Sequence, residues 1–264
     1  MKIKKLYKYD RRRQLFRLLP TETNKLIIEE RDLNKKEVFF SCLELHSGKK
    51  IFYDLQFEEK YWIGIKVIYK DVIYFHRFER PDLPNHKGII AFDIKSQTVL
   101  WENQNNFLFI KDNKVVLSVN EYGITKKCVV HYLTGETETE ISEYDSTSEN
   151  ERLSDYIYSN KISRQLFEEI AHTALKKKID RIIIKDDINF AQKYDLHFFN
   201  FHKINSKGRF DNVFYAVSKE GKIILKETLN ENINRIEPES FFIKGNLLFL
   251  LFNNSGFGVY KIIY

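Results

Sequence analysis

The chain has 264 residues, 43% of them hydrophobic and 15% aromatic, enough to bury a core as one domain or two. Ten Gly and four Pro exclude collagen-like and low-complexity structure, and no apolar run approaches the roughly 20 residues of a membrane helix. The net charge of +6 sits at one end: residues 1–17 hold eight Lys and Arg against Asp10, and the remainder is nearly balanced. Basic residues at the N-terminus have no apolar stretch behind them, so they do not read as a secretory signal. Cys42 and Cys128 are isolated within apolar segments, which points to buried thiols in a reducing compartment and to a cytoplasmic location.

In chain order, Lys2 to Tyr9 reads as a short strand with basic outer positions. Leu15 to Leu19, Lys25 to Arg31, Glu37 to Leu45 and Lys50 to Leu55 form a first set of four strands. Tyr61 to Ile68, Val72 to Phe78, Gly88 to Ile94 and Thr98 to Glu102 form a second. Phe107 to Lys111, Lys114 to Asn120, Lys127 to Leu133 and Glu136 to Ser142 form a third. Residues 136–151 then carry seven acids and no base, as expected of a charged edge strand and an exposed linker. Lys161 to Lys178 has helical spacing, capped by Ser159 or Asn160, with Ile162, Leu166, Ile170 and Ala174 as its packing face. Strands resume at Arg181 to Phe190, Leu196 to Ile204, Asn212 to Ser218 and Lys222 to Thr228. The last set has only three strands, Glu239 to Lys244, Asn246 to Asn253 and Phe257 to Ile263. The spare strand at Lys2 to Tyr9 is its natural fourth.

A hairpin recurs through these sets. Cys42 to Phe52 aligns without a gap on Ala91 to Trp101, and Ala216 to Leu225 is a copy one residue shorter. Val130 to Gly135 is a degraded fourth. This hairpin resembles the quinoprotein-type (PQQ-like) repeat A-L-D-x-x-T-G-x-x-L-W, with Gln97 in place of the glycine. The whole chain resembles an uncharacterised bacterial domain-of-unknown-function family built on such repeats. The resemblance implies an all-β propeller. Five blades fit the sets, four or six remaining open, with the N-terminal strand closing the ring and residues 143–180 inserted as acidic linker plus helix. The expectation is therefore a single domain over 1–264.

The chemistry is sparse. There is no G-x-S-x-G, no glycine-rich phosphate loop, no C-x-x-C and no H-E-x-x-H. His197 and His202 are an odd number of residues apart on one strand and point to opposite faces, so they do not share a metal. No positions match the calcium or adjacent-cysteine motifs of quinone-dependent dehydrogenases, so no cofactor and no metal are expected. Trp62 and Trp101 read as packing rings. The candidate binding loop is Arg77, Glu79, Arg80, Asp82 and His86, in the long connection stiffened by Pro81 and Pro84. Strand parity places it on one face with the insertion. These features favour a non-catalytic platform for a protein, a peptide or a small acidic ligand. An enzyme, a hydrolase or lyase at the mouth of the channel, is the alternative. Neither a nucleic acid nor a membrane is the expected partner, since strand lysines commonly protect an edge.

Overall fold

The computed structural model describes residues 1–78, 86–121, 124–140, 155–170, 184–237 and 240–264. These residues form five antiparallel sheets, which fall into two compact units: Gln14–Leu153, and Met1–Arg13 with Ser154–Tyr264. Four of the five sheets are built from strands consecutive in sequence, because short turns favour antiparallel neighbours.

In the unit Gln14–Leu153 the first sheet runs β2 (Gln14–Pro20), β3 (Lys25–Asp32), β4 (Glu37–Glu44), β5 (Lys50–Leu55). The second runs β6 (Ile63–Tyr69), β7 (Val72–Phe78), β8 (His86–Asp93), β9 (Thr98–Asn103). The third runs β10 (Asn106–Lys111), β11 (Lys114–Glu121), β12 (Ile124–His131), β13 (Thr137–Glu140). Alternation of side chains lets the middle strands bury both faces. Ile27, Phe40 and Phe52 of the first sheet pack with Ile73, Phe75 and Phe92 of the second. Tyr74, Ile89 and Ala91, from the other face of the second sheet, pack with Val115, Leu117 and Val130 of the third. Trp101 joins this second cluster, its Nε1 donating to Tyr132 O at 3.1 Å. That is the packing role expected of it.

The other unit holds the sheet β15 (Asn160–Ile162), β16 (Ile184–Lys193), β17 (Leu196–Ile204), β18 (Phe210–Ser218), β19 (Ile223–Ile233). Its second sheet is ordered β1 (Lys2–Asp10), β22 (Gly256–Ile263), β21 (Leu247–Phe252), β20 (Phe241–Lys244), β14 (Tyr156–Tyr158). The N-terminal strand therefore pairs with the last strand, from Lys2 opposite Ile263 to Asp10 opposite Gly256. A chain of amides, three of them buried, is the unusual feature of the first of these sheets. Asn189, Asn200, Asn212 and Asn230 link side chain to side chain across four strands, and Asn212 also donates to Ser240 Oγ at 2.8 Å. Such a network costs little when each member is satisfied.

The recurring hairpin keeps one left-handed turn residue in each copy. Gly48, Gly135 and Gly221 have φ of 69°, 70° and 83°, and Gln97 takes the same left-handed conformation at 58°. Gly48, Gln97 and Gly135 each donate to the carbonyl four residues back, at 2.9 Å. Glutamine thus occupies a glycine position at some conformational cost. At Gly135 a side chain is excluded sterically as well, since a Cβ there would lie 2.6 Å from the Trp101 ring.

The helix differs from its expected extent. Ile162 ends a short strand, Ser163 Oγ caps the helix by accepting from Leu166 N at 3.2 Å, and α1 covers Arg164–Ile170. Phe167, not Leu166, is the buried anchor, packing edge-on against Phe199 at 5.1 Å, while Leu166 is 41% exposed. Ala174, the helix expected beyond residue 170 and the expected acidic linker lie outside the described residues, and so does any test of the expectation that the insertion shares a face with residues 79–85.

Candidate functional site

The first strands of the three sheets in Gln14–Leu153 share a defect. Pairing skips one residue at Phe16 in β2, at Lys66 in β6 and at Leu108 in β10. Each bulge turns its extra side chain outward, and all three are exposed. The bulges also fix which residues correspond on the second strands. Glu29 and Glu30 occupy the positions of Tyr74 and Phe75 in the second sheet and of Val116 and Leu117 in the third. Arg31, His76 and Ser118 correspond in the next position. Two carboxylates thus stand where the sister sheets have core side chains, and both are completely buried.

Glu29 is held by cations. It accepts from Arg31 Nε and a terminal nitrogen of Arg31 at 3.2 and 2.9 Å, and Arg17 Nε lies 3.6 Å from its other oxygen. Burial still dominates, so its carboxyl is pushed above the usual range despite Arg17 and Arg31. Arg31 is sandwiched further by Phe16, at 4.1 Å from the ring centroid, and by Tyr61 at 5.4 Å. Arg17 reaches the second sheet, donating to Ile65 O at 2.8 Å.

A histidine pair lies close to that bridge. Gly88 has φ of 66°, its N–H donates to Asn106 Oδ1 at 3.1 Å, and a Cβ there would meet Asn103 O at 2.8 Å. This kink shifts β8 against β7, so His86 pairs opposite Phe78 and stacks on His76 with ring centroids 3.6 Å apart. Gly64 leaves room on the other side, where a Cβ would approach His76 Nε2 to 3.4 Å. His76 is 3% exposed, and its Nδ1 makes no hydrogen bond among the described residues. Burial, then the neighbouring His86, push His76 down to about 4; Lys66 and Arg17 act the same way, and only the Arg77 backbone favours a proton. His86 is lowered too, by burial and then by Lys66 and Arg17. Lys66 Nζ sits 3.5 Å from His86 Nδ1, and no carboxylate pairs with it among the described residues.

Of the five loop residues expected from sequence, Glu79, Arg80 and Asp82 lie outside the described residues. Arg77 and His86 are strand residues on opposite faces. Arg77, level with Lys87, pairs with Glu102 of β9 at 3.0 Å, whereas His86 faces His76 and Phe78. Arg17, Glu29, Arg31, Lys66 and His76 were not singled out by the sequence reading. Aligning the second strands of the sets would have exposed two acids at apolar positions. Among the described residues no group of three or more His, Cys, Asp or Glu could hold a metal. Cys42 is fully buried, with its thiol pushed up to about 12 by burial, while Cys128 is only half-buried.

A family model described as Domain of unknown function (DUF4905) matches residues 19–101, a stretch that includes Glu29, Arg31, Lys66, His76 and His86. No curated protein matches the chain. Among solved structures, BamB from Moraxella catarrhalis is 9% identical, with a TM-score of 0.25 over 93% of this chain and 69% of that one. Virginiamycin B lyase from Staphylococcus aureus is 13% identical, covering 99% of both chains at a TM-score of 0.28. The β-propeller domain of the Trilobed protease from Pyrococcus furiosus is 12% identical, over 92% of this chain and 64% of that one, with a TM-score of 0.31. At these values none of the three carries an argument about this chain. No helix among the described residues is long and apolar enough to cross a membrane.

Proposed function

We propose that the chain is a non-catalytic platform whose Arg17–Lys66–His86 surface binds an acidic peptide segment of a protein partner. The observation that carries this reading is Lys66, an exposed ammonium beside His86 with no carboxylate partner among the described residues. Arg17 adds a second cation, and its carboxylate, Glu29, is buried behind it and shared with Arg31. Two close cations beside a weakly basic imidazole favour an incoming carboxylate.

In the same reading the five sheets are blades of one β-propeller over 1–264, with 143–180 inserted. Support comes from the repeated hairpin, the sets of four consecutive strands and the pairing of β1 with β22. Two unpaired cysteines fit a reducing, cytoplasmic setting.

The test is fluorescence anisotropy with a labelled poly-glutamate peptide. Binding should weaken with salt, and Lys66→Ala should reduce affinity about tenfold at unchanged thermal stability, as expected for one charge-assisted contact. No binding by the parent, or equal binding by Lys66→Ala, would refute the proposal.

One observation favours the enzyme alternative, a hydrolase or lyase acting on a small acid. His76 is held neutral at pH 7 with an unpartnered Nδ1, as a general base requires. Turnover of a bound acid that His76→Asn abolishes without weakening binding would decide for that reading.

A further inference from the structure

Among the described residues a second site lies in the unit Met1–Arg13 with Ser154–Tyr264, between β1 and β19. Lys5 and Lys8 are an odd number of residues apart and would point to opposite faces of a regular strand. The pairing of β1 with β22 skips Leu6, so Lys5 stands opposite Tyr260 and Lys8 opposite Gly258, on one face. Gly258 opens that face, since a Cβ there would lie 2.9 Å from the Tyr260 ring and 3.1 Å from the Phe252 ring. Over these rings rest the two ammonium groups, Lys8 at 4.9 Å from the Phe252 centroid and Lys5 at 5.7 Å from that of Tyr260. A cavity of about 310 Å³ opens in front of them. Its other wall is β19, whose pairing with β18 skips Leu229, and both Glu227 and Glu231, on either side of that skip, line the cavity. Tyr260 fixes Glu227 by donating to Oε1 at 2.7 Å.

Opposite charges line one small cavity and do not close it. Neither Lys5 nor Lys8 comes within ion-pair distance of a carboxylate among the described residues. We infer that the cavity binds a small zwitterionic amino acid, its carboxylate toward Lys5 and Lys8 and its ammonium toward Glu227 and Glu231. Such a ligand satisfies both walls at once, whereas a simple anion or a simple amine leaves one wall uncompensated. The volume is at the lower end for small-molecule sites. The site is distinct from the Arg17–Lys66–His86 surface and does not depend on its role.

Calorimetric titration of the full chain at neutral pH tests this with glycine, β-alanine, 4-aminobutyrate and 6-aminohexanoate, against butyrate and butylamine as half-ligands. At least one zwitterion should saturate the protein at about millimolar concentration and bind about tenfold more tightly than either half-ligand. Lys8→Ala and Glu231→Gln, both at exposed positions, should each weaken that zwitterion about tenfold while leaving the melting temperature unchanged. Absence of saturation by every zwitterion, butyrate binding as well as 4-aminobutyrate, or unaltered affinity in both variants would overturn the inference.

Discussion

Removal of residues 1–10 is expected to lower the melting temperature by about 10 °C, because several kcal/mol are lost and each costs roughly 2–4 °C at this chain length. The whole of β1 would go, and with it the ladder from Lys2–Ile263 to Asp10–Gly256. Its donors and acceptors on β22 would become an open edge. Apolar burial would be lost as well. Tyr9, 5% exposed, stacks on Phe257 at 5.0 Å, and Ile3 packs on the cluster that includes Tyr260 and Ile262. Part of the loss is offset by the backbone entropy that ten residues no longer surrender. Differential scanning calorimetry of the truncated chain measures the balance. A melting curve like that of the parent would show that β1 decorates the sheet without stabilising it.

Arg31→Ala should destabilise by about 3–5 kcal/mol at neutral pH, the cost of leaving a buried carboxylate without its principal cation. Glu29 accepts two bonds from Arg31 and retains only Arg17, at 3.6 Å. The pH dependence identifies the cause. Glu29 is already raised above its ordinary value of 4.5 by burial, so its favourable contribution is full below that value and is lost as pH rises through the folded pKa. Without Arg31 the folded pKa rises further. The stability gap between variant and parent should therefore be widest at neutral pH and narrow as the pH falls and Glu29 takes a proton. His76 works in the opposite sense. Its lowered pKa means stability is lost as pH falls from the ordinary 6.5 toward about 4, but it does so in both proteins and cancels in the difference. Urea unfolding of both proteins across this range provides the gap. A constant gap would mean that Arg31 acts through its Phe16 and Tyr61 contacts instead.

Much of the strand pattern was legible because side-chain alternation and turn residues repeat. Lys50–Leu55, Val72–Phe78 and Leu196–Ile204 match their expected bounds to the residue. The pairing of the first strand with the last followed from counting strands in sets. What escaped was of two physical kinds. Tyr156–Tyr158 and Asn160–Ile162 are three-residue strands, too short for any period, and the second shortens the expected helix at its start. Register was the other. The skips at Leu6, Phe16 and Lys66 and the kink at Gly88 reassign faces without leaving a composition signal. His86 was named from sequence for its loop, but its place beside His76 depends on that kink. Arg77 was expected to find counter-charges in the same loop, yet Glu102 lies across the sheet, where only three-dimensional pairing brings it close.

The central claim is that the Arg17–Lys66–His86 surface takes a carboxylate from an acidic partner. Titrating the ring protons of His76 and His86 by NMR, with and without saturating poly-glutamate peptide, tests it most directly. Burial, then Lys66 and Arg17, hold the His86 pKa down in the free protein, so a bound carboxylate that offsets the two cations should raise it. His76, dominated by burial, should move less. A His86 titration that is the same with and without the peptide would contradict the account.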